Sequence, residues 1–225
     1  MKVIITCGPS YEPIDGARRM TNMSTGKLGI TLANYLTDAG LEVICLKGEG
    51  STYPGAVRAA RLETFSTNDD LAQRLESISR LENIDAVFHA AALCDYRVNQ
   101  VLSATGEAMS SAKFATRDGR LHLVLAPAMK VLPRMRDWFP DARIVGWKYE
   151  LAGSRDDAFA KAWKQLRDCA TDASVLNGAA YGEGFALCHA DGRVETRAET
   201  PGLCALLNDW LQGELPVVAP TPSFA

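Results

Sequence analysis

The residues best placed to do chemistry lie in one stretch, Arg18-Arg19-Met20-Thr21-Asn22-Met23-Ser24-Thr25-Gly26-Lys27-Leu28-Gly29. An apolar strand pattern at 3–7 and a turn-like segment, Gly8-Pro9-Ser10-Tyr11-Glu12-Pro13-Ile14-Asp15, precede it. An apolar helical pattern, Ile30, Leu32, Ala33, Tyr35 and Leu36, follows and stops at Gly40. A strand, a small polar loop and a helix start together make an anion site, because unpaired backbone N–H groups point where a phosphate can sit. The two common phosphate fingerprints are absent. No G-x-G-x-x-G follows the first strand, and Gly26-Lys27 lacks the upstream glycine and following hydroxyl of a P-loop. A second candidate group, Ala90-Ala91-Ala92-Leu93-Cys94-Asp95-Tyr96-Arg97, stands past the end of another apolar strand pattern. Ligands of open α/β sheets bind outside those carboxyl ends. Small side chains suit a backbone that a ligand approaches, although tight helix packing accounts for Ala91 and Ala92 as well, and a cap role for Asp95.

The elements that must position these residues alternate. Strand patterns at 43–46, 84–92, 121–126, 143–147 and 173–177 interleave with helical patterns at 67–81, 128–139 (interrupted near Pro133) and 155–170. Segments 185–189 and 193–196 flank Asp191-Gly192, a strong hairpin signal, and 201–211 reads as a terminal helix. This predicts an α/β fold, doubly wound and Rossmann-like, with a mostly parallel sheet and an added β-hairpin. The polar, unperiodic segment 97–118 is long enough to be a functional flap. Residues 1–215 read as one domain, and the proline-rich 216–225 as a disordered tail.

Composition narrows the function. The 225 residues, 47% of them apolar, suffice for a substantial core. A net charge of −3 gives no footprint for nucleic acid or an anionic membrane. No apolar run reaches bilayer length, and no signal-peptide pattern opens the chain. The six cysteines are scattered without metal-ligand spacing, which points to buried thiols in a reducing cytoplasm. The three histidines, His89, His122 and His189, fall in strand patterns and read as structural.

Thr6-Cys7-Gly8-Pro9-Ser10, Pro13-Ile14-Asp15, Arg18 and Thr21-Asn22-Met23-Ser24-Thr25-Gly26 resemble the opening of phosphopantothenoylcysteine synthetases, also called phosphopantothenate–cysteine ligases. That family typically reads T-S-G-G-T, then P-I-D-x-V-R-x-I-T-N-x-S-S/T-G. The Ala91-Ala92…Asp95-Tyr96 segment resembles its A-A-V-x-D-Y/F word. Lys113-Phe114, Trp138-Phe139-Pro140 and Gly146-Trp147-Lys148-Tyr149-Glu150 resemble the K-I-x-S-S, W-x-P and G/S-F-K-L-E words of its free-standing members. The resemblance covers about 1–211. It departs at Pro9, where the family has glycine and a backbone donor, at Trp147 for Phe, and at Asn177-Gly178 for A-N-D. A single clear flap lysine, Lys113, replaces three in the fused members.

The resemblance implies an amide-forming ligase of coenzyme A biosynthesis. The carboxylate of 4′-phosphopantothenate attacks a nucleoside triphosphate, CTP or ATP, releasing pyrophosphate. The acyl-nucleotidylate then takes the amine of L-cysteine and releases the monophosphate. Two anions meet in the first step, so cations must surround the phosphates. Mg²⁺ carried on the nucleotide, Lys113 on the flap and N–H groups near Gly8 and Ser10 are the implied suppliers. Asn22 is the implied donor to the carbonyl oxygen that becomes negative in the second step. Arg18, Ala91, Ala92 and Asp95 are implied substrate contacts, with Asp95 also on the nucleotide. Trp147 is placed to stack on the base and Lys161 on the triphosphate, while a solvated face accounts for Lys161 equally. Lys27 reads as solvated; Lys148 and Glu150 fit catalysis or an ion pair. The family is generally homodimeric. Two rival readings are a non-catalytic nucleotide-binding or assembly paralogue, suggested by Pro9 and Gly178, and an NAD(P)-dependent oxidoreductase, which lacks its glycine fingerprint and Tyr-x-x-x-Lys pair.

Overall fold

The computed structural model describes residues 1–213, so the expected tail at 216–225 lies outside the described residues. In chain order the first part carries β1 (Lys2–Cys7), β2 (Tyr11–Pro13), β3 (Arg19–Thr21), α1 (Lys27–Asp38), β4 (Glu42–Gly48), β5 (Arg61–Phe65), α2 (Asn68–Leu81), β6 (Ala86–His89), β7 (Tyr96–Leu102), β8 (Ala108–Met109), β9 (His122–Pro127) and α3 (Met135–Trp138). The second part carries β10 (Arg143–Tyr149), α4 (Arg155–Cys169), β11 (Ala173–Gly178), β12 (Gly182–His189), β13 (Val194–Arg197) and α5 (Thr200–Gln212). The chain divides into two compact units, the first ending at Ala142 and the second beginning at Arg143.

In the first unit the β-branched runs of β1 and β4 are buried along almost their whole length, as parallel strands covered on both faces must be. β1 pairs in parallel with β4, Val3 opposite Val43, and with β6, Val3 opposite Ala86; β4 pairs in parallel with β5. Helix α1 presents Ile30, Leu32, Ala33 and Leu36 to the core. Helix α2 starts where the Thr67 side chain accepts from the Asp70 N–H, and it buries Leu71, Leu75 and Ile78. In the second unit β10 and β11 pair in parallel, and β11, β12 and β13 continue antiparallel. Ser154 and Asp157 form a capping box at the start of α4. The architecture is therefore α/β and mostly parallel with an added hairpin, as the alternation of patterns implies.

Two expectations change. Part of the segment expected to be an unperiodic flap is strand: β7 takes up 97–102 and pairs antiparallel with β8 and β9. Its polarity reflects two open sheet faces and gives no mark of missing structure. The helix expected at 128–139 shrinks to a 3₁₀ turn, Leu132–Arg134, followed by the short α3, because Pro133 supplies no N–H and Pro140 stops continuation.

Candidate functional site

The carboxyl ends of β1 and β6 build the centre of the first unit. Beyond the strands, Pro9 and Ala92 form an isolated parallel bridge. The Ala92 N–H donates to Gly8 O at 2.9 Å, and the Ser10 N–H donates to Ala92 O at 3.2 Å. Neither bond uses the nitrogen of residue 9, so proline is accommodated there without losing a ladder bond. Ser10 is fully buried. Its hydroxyl donates to Asn68 Oδ1 at 2.7 Å and accepts from the Cys94 N–H at 2.8 Å. The Asn68 amide then donates to the carbonyl oxygens of Cys94 (2.8 Å) and Met129 (2.9 Å). Ser10 thus spends its hydroxyl on fixing the 92–95 segment.

Asn22 reaches the same segment from the other side. Its Nδ2 donates to Ala92 O at 3.0 Å and Leu93 O at 2.9 Å, which occupies both amide hydrogens. Asn22 with Ala92 and Asp95, the residues around which the sequence suggested a substrate site, therefore share one hydrogen-bonded segment, to which Ala91 also belongs. The Ala91 N–H donates at 3.4 Å to Thr6 Oγ1, which shares a 2.7 Å hydrogen bond with His89 Nδ1. Burial pushes the His89 imidazole down to about 4, so the ring is neutral. Asp95 is exposed and forms an ion pair with Lys130. Sequence reading missed Lys130. It arrives through the pairing of Tyr96 with Pro127 and the Ala128 N–H bond to Asp95 O, and neither has a local signature.

Two glycines shape the loop at the start of α1. Gly8 and Gly26 have φ of +77° and +80°, and a Cβ on either would fall 1.9 Å and 2.7 Å from Ser51 Oγ. Only glycine satisfies both the backbone angle and the space. Gly26 is the N-cap of α1 and brings no side chain to cap it, while the Gly26 and Lys27 N–H groups donate to Ser24 Oγ (3.4 Å) and Thr25 Oγ1 (3.3 Å), and the positive end of the helix faces the loop. Lys27 is exposed.

Arg18 and Lys113 are brought together by Asp15. Its Oδ1 accepts from the N–H groups of Ala17 and Arg18, both at 2.8 Å. Its Oδ2 accepts from Arg18 Nε (3.0 Å), Arg18 Nη2 (2.5 Å) and the Phe114 N–H (3.2 Å). Arg18 Nη2 also donates to Phe114 O at 2.6 Å. The Arg18 guanidinium, with these N–H donors, holds the Asp15 carboxyl far below the usual carboxylate range. Phe114 is buried and Lys113 beside it is exposed.

The second unit holds the other two candidates. Trp147 lies in β10, and its indole Nε1 is buried without a hydrogen-bond partner. Lys161 pairs with Glu150 at 2.5 Å, and Lys148 pairs with the same carboxylate at 3.1 Å. The lysines and Glu150 thus form an ion-pair trio. Burial opposes ionisation of Glu150, but the two ammonium groups outweigh it and hold its carboxyl below the usual range. Gly178, where the resemblance leads one to expect an acidic residue, has φ +111°, and a Cβ there would lie 2.3 Å from Glu150 O. The Glu150 N–H donates to Asn177 O and Glu150 O accepts from the Ala180 N–H, so Gly178 lets the turn close on the Glu150 backbone.

Comparison with known proteins gives a consistent picture. Residues 1–199 match the family described as DNA/pantothenate metabolism flavoprotein C-terminal domain. The chain is similar to the coenzyme A biosynthesis bifunctional protein CoaBC of Thermococcus kodakarensis, 28% identical over 177 residues, covering 78% of this chain and 41% of that protein. It is 30% identical over 198 residues to the Mycobacterium tuberculosis protein of the same name, covering 85% of this chain and 45% of that protein. The chain spans less than half the length of these curated relatives. In fold it matches the crystal structure of the DNA/pantothenate metabolism flavoprotein from Streptococcus pneumoniae, with a TM-score of 0.81 at 21% identity over 94% of this chain and 98% of that one. It also matches a Cab2 mutant in complex with phosphopantothenate-cysteine, with a TM-score of 0.67 at 18% identity over 94% and 87% of the two chains.

Proposed function

The chain belongs to the DNA/pantothenate metabolism flavoprotein C-terminal domain family, and from that premise we propose that it joins 4′-phosphopantothenate to L-cysteine at the expense of CTP or ATP. The observation that carries this reading is the Asn22 clamp on Ala92 and Leu93 at the carboxyl ends of β1 and β6. It puts an uncharged amide beside exposed backbone at the place where α/β sheets take ligands. The curated relatives named for coenzyme A biosynthesis support the substrate class.

In the proposed reaction the substrate carboxylate attacks the α-phosphate, pyrophosphate leaves, and the cysteine amine displaces the monophosphate from the acyl-nucleotidylate. Arg18 meets an anionic group of phosphopantothenate, and Lys113 meets the phosphates. Trp147 stacks on the base. Lys161, steered by Glu150, faces the triphosphate. In the free protein both Asn22 hydrogens rest on carbonyl oxygens, so donation to a developing oxyanion exchanges one of these bonds at a cost of about 1 kcal/mol. That exchange favours the transition state, because a charged acceptor binds the amide more strongly than a neutral carbonyl does. Mg²⁺ enters with the nucleotide and neutralises phosphate charge. Among the described residues no three His, Cys, Asp or Glu side chains converge on one point. Pro9 and Gly178 have structural reasons of their own and give no support to a non-catalytic paralogue.

The proposed assembly is a homodimer. Leu123, Val124 and Leu125 of β9 are 40%, 36% and 42% exposed. Successive strand residues face opposite sides, so both faces of the β7–β9 sheet offer apolar surface for a partner copy. All six cysteines are free and buried, which suits work in a reducing cytoplasm. Among the described residues no helix is long and apolar enough to cross a membrane.

The test is pyrophosphate release with 4′-phosphopantothenate, L-cysteine and Mg²⁺, run in parallel with CTP and ATP. Release that requires phosphopantothenate and favours one nucleotide is expected. No release with either nucleotide would overturn the reading. Asn22→Ala is expected to lose turnover and keep nucleotide binding.

A further inference from the structure

We propose that Asp15 is a positioning residue that, through Arg18 and Phe114, ties the Lys113 flap to the loop opening the substrate site. The tie stands on geometry alone; its part in turnover rests on the ligase reading above. The Asp15 side chain has no exposed surface, and Phe114 lies 99 positions away in sequence. The two carboxylate oxygens divide the work. Oδ1 is anchored to its own loop by the Ala17 and Arg18 N–H groups, and this aims Oδ2 at the flap.

The guanidinium completes the tie. Nε and Nη2 of Arg18 lie on Asp15 Oδ2, and Nη2 also donates to Phe114 O. These bonds hold one edge of a planar fork, so the remaining Nη1 edge points in a fixed direction. The Arg18 side chain is 45% exposed, so an anion can reach the guanidinium from solvent. One residue further on, the Gly16 N–H donates to Ala112 O at 2.9 Å. Ala112 and Phe114, the neighbours of Lys113 on either side, are therefore both fastened to the Asp15–Arg18 loop, while the lysine itself stays exposed. An anion that takes Arg18 finds the lysine-bearing segment already in place, and the entropy of ordering a loose flap is not lost at each turnover.

Asp15→Asn keeps the size of the side chain and removes the second anionic oxygen; Arg18→Lys keeps the charge and removes the fork. In both, amide exchange at Phe114 and Gly16 in the free protein is expected to rise at least about tenfold. Because the Asp15 side chain has no exposed surface, the thermal midpoint should also fall, and exchange and kinetics are read well below each variant's midpoint. In Asp15→Asn the arginine keeps its charge, so KM for phosphopantothenate should hold while kcat falls about tenfold, as loss of orientation demands. Unaltered exchange in both variants would overturn the tie. Faster exchange with unchanged kcat, or with KM and kcat moving together, would overturn the positioning role. A wild-type protein that does not turn over would defeat the ligase reading alone, and the exchange data would still decide the tie.

Discussion

His89 carries a charge question that its neighbours answer. It is buried beside Thr6 with its pKa depressed to about 4, against an ordinary 6.5. The folded chain thus stays neutral at His89 where the unfolded chain takes up a proton, so stability is full above about pH 6.5 and drains away as pH falls towards 4. Urea midpoints measured from pH 8 to pH 4 should decline over that window, and His89→Gln should flatten the decline. Asn68 makes a second residue-scale case, since Asn68→Ala takes the acceptor from the Ser10 hydroxyl and the amide donor from the carbonyls of Cys94 and Met129 together. A loss of about 2–3 kcal/mol in denaturant unfolding is expected, from several buried groups left without partners. Asn22, Arg18 and Asp95 stand in short sequence words, and the structure puts Asn22 on the 92–93 carbonyls, Arg18 on Asp15 and Asp95 on Lys130. Asn68 and Lys130 were not legible in the sequence, because each acts through partners far along the chain.

At the scale of elements, α5 ends on a side chain from β10. Arg143 Nη1 donates to the carbonyl oxygens of Trp210 and Leu211 at 2.9 Å and 2.7 Å, and Nη2 donates to Gly213 O at 2.9 Å. Those carbonyls have no partner within the helix, and the cation suits the negative end. Arg143→Ala should cost about 1–2 kcal/mol and speed amide exchange in the last turn of α5. The core strands were legible from their apolar runs. β5 was not: Arg61-Leu62-Glu63-Thr64 alternates without an apolar face, and ion pairs of Arg61 with Glu63 and Glu82 serve it instead. β2 and β3 are three residues each, too short to show a period. The 97–118 segment read as a loop because β7 is mostly exposed.

For the whole molecule, the alternation of strand and helix patterns was enough to give the α/β class, since parallel strands require crossovers. The division after Ala142 left no such trace, as Asp141-Ala142-Arg143 has no linker composition. Assembly is the property to measure at this scale. Light scattering on the full chain should give a dimer, and Leu123→Glu with Leu125→Glu should give a monomer of unchanged circular dichroism, because charges on a covered sheet face oppose pairing.

Ser51 sits against both Gly8 and Gly26, and its buried hydroxyl has no hydrogen-bond partner. The position consequently tolerates change in one direction only. Removing the oxygen takes away nothing that the fold uses, so Ser51→Ala should lie within about 0.5 kcal/mol of the parent. Adding one methyl, as in Ser51→Thr, drives a wedge into two loops at once, and neither can retreat without moving the other. Volume, more than hydroxyl chemistry, decides what residue 51 can be, and the segments around Gly8 and Gly26 have to change in step if they change at all.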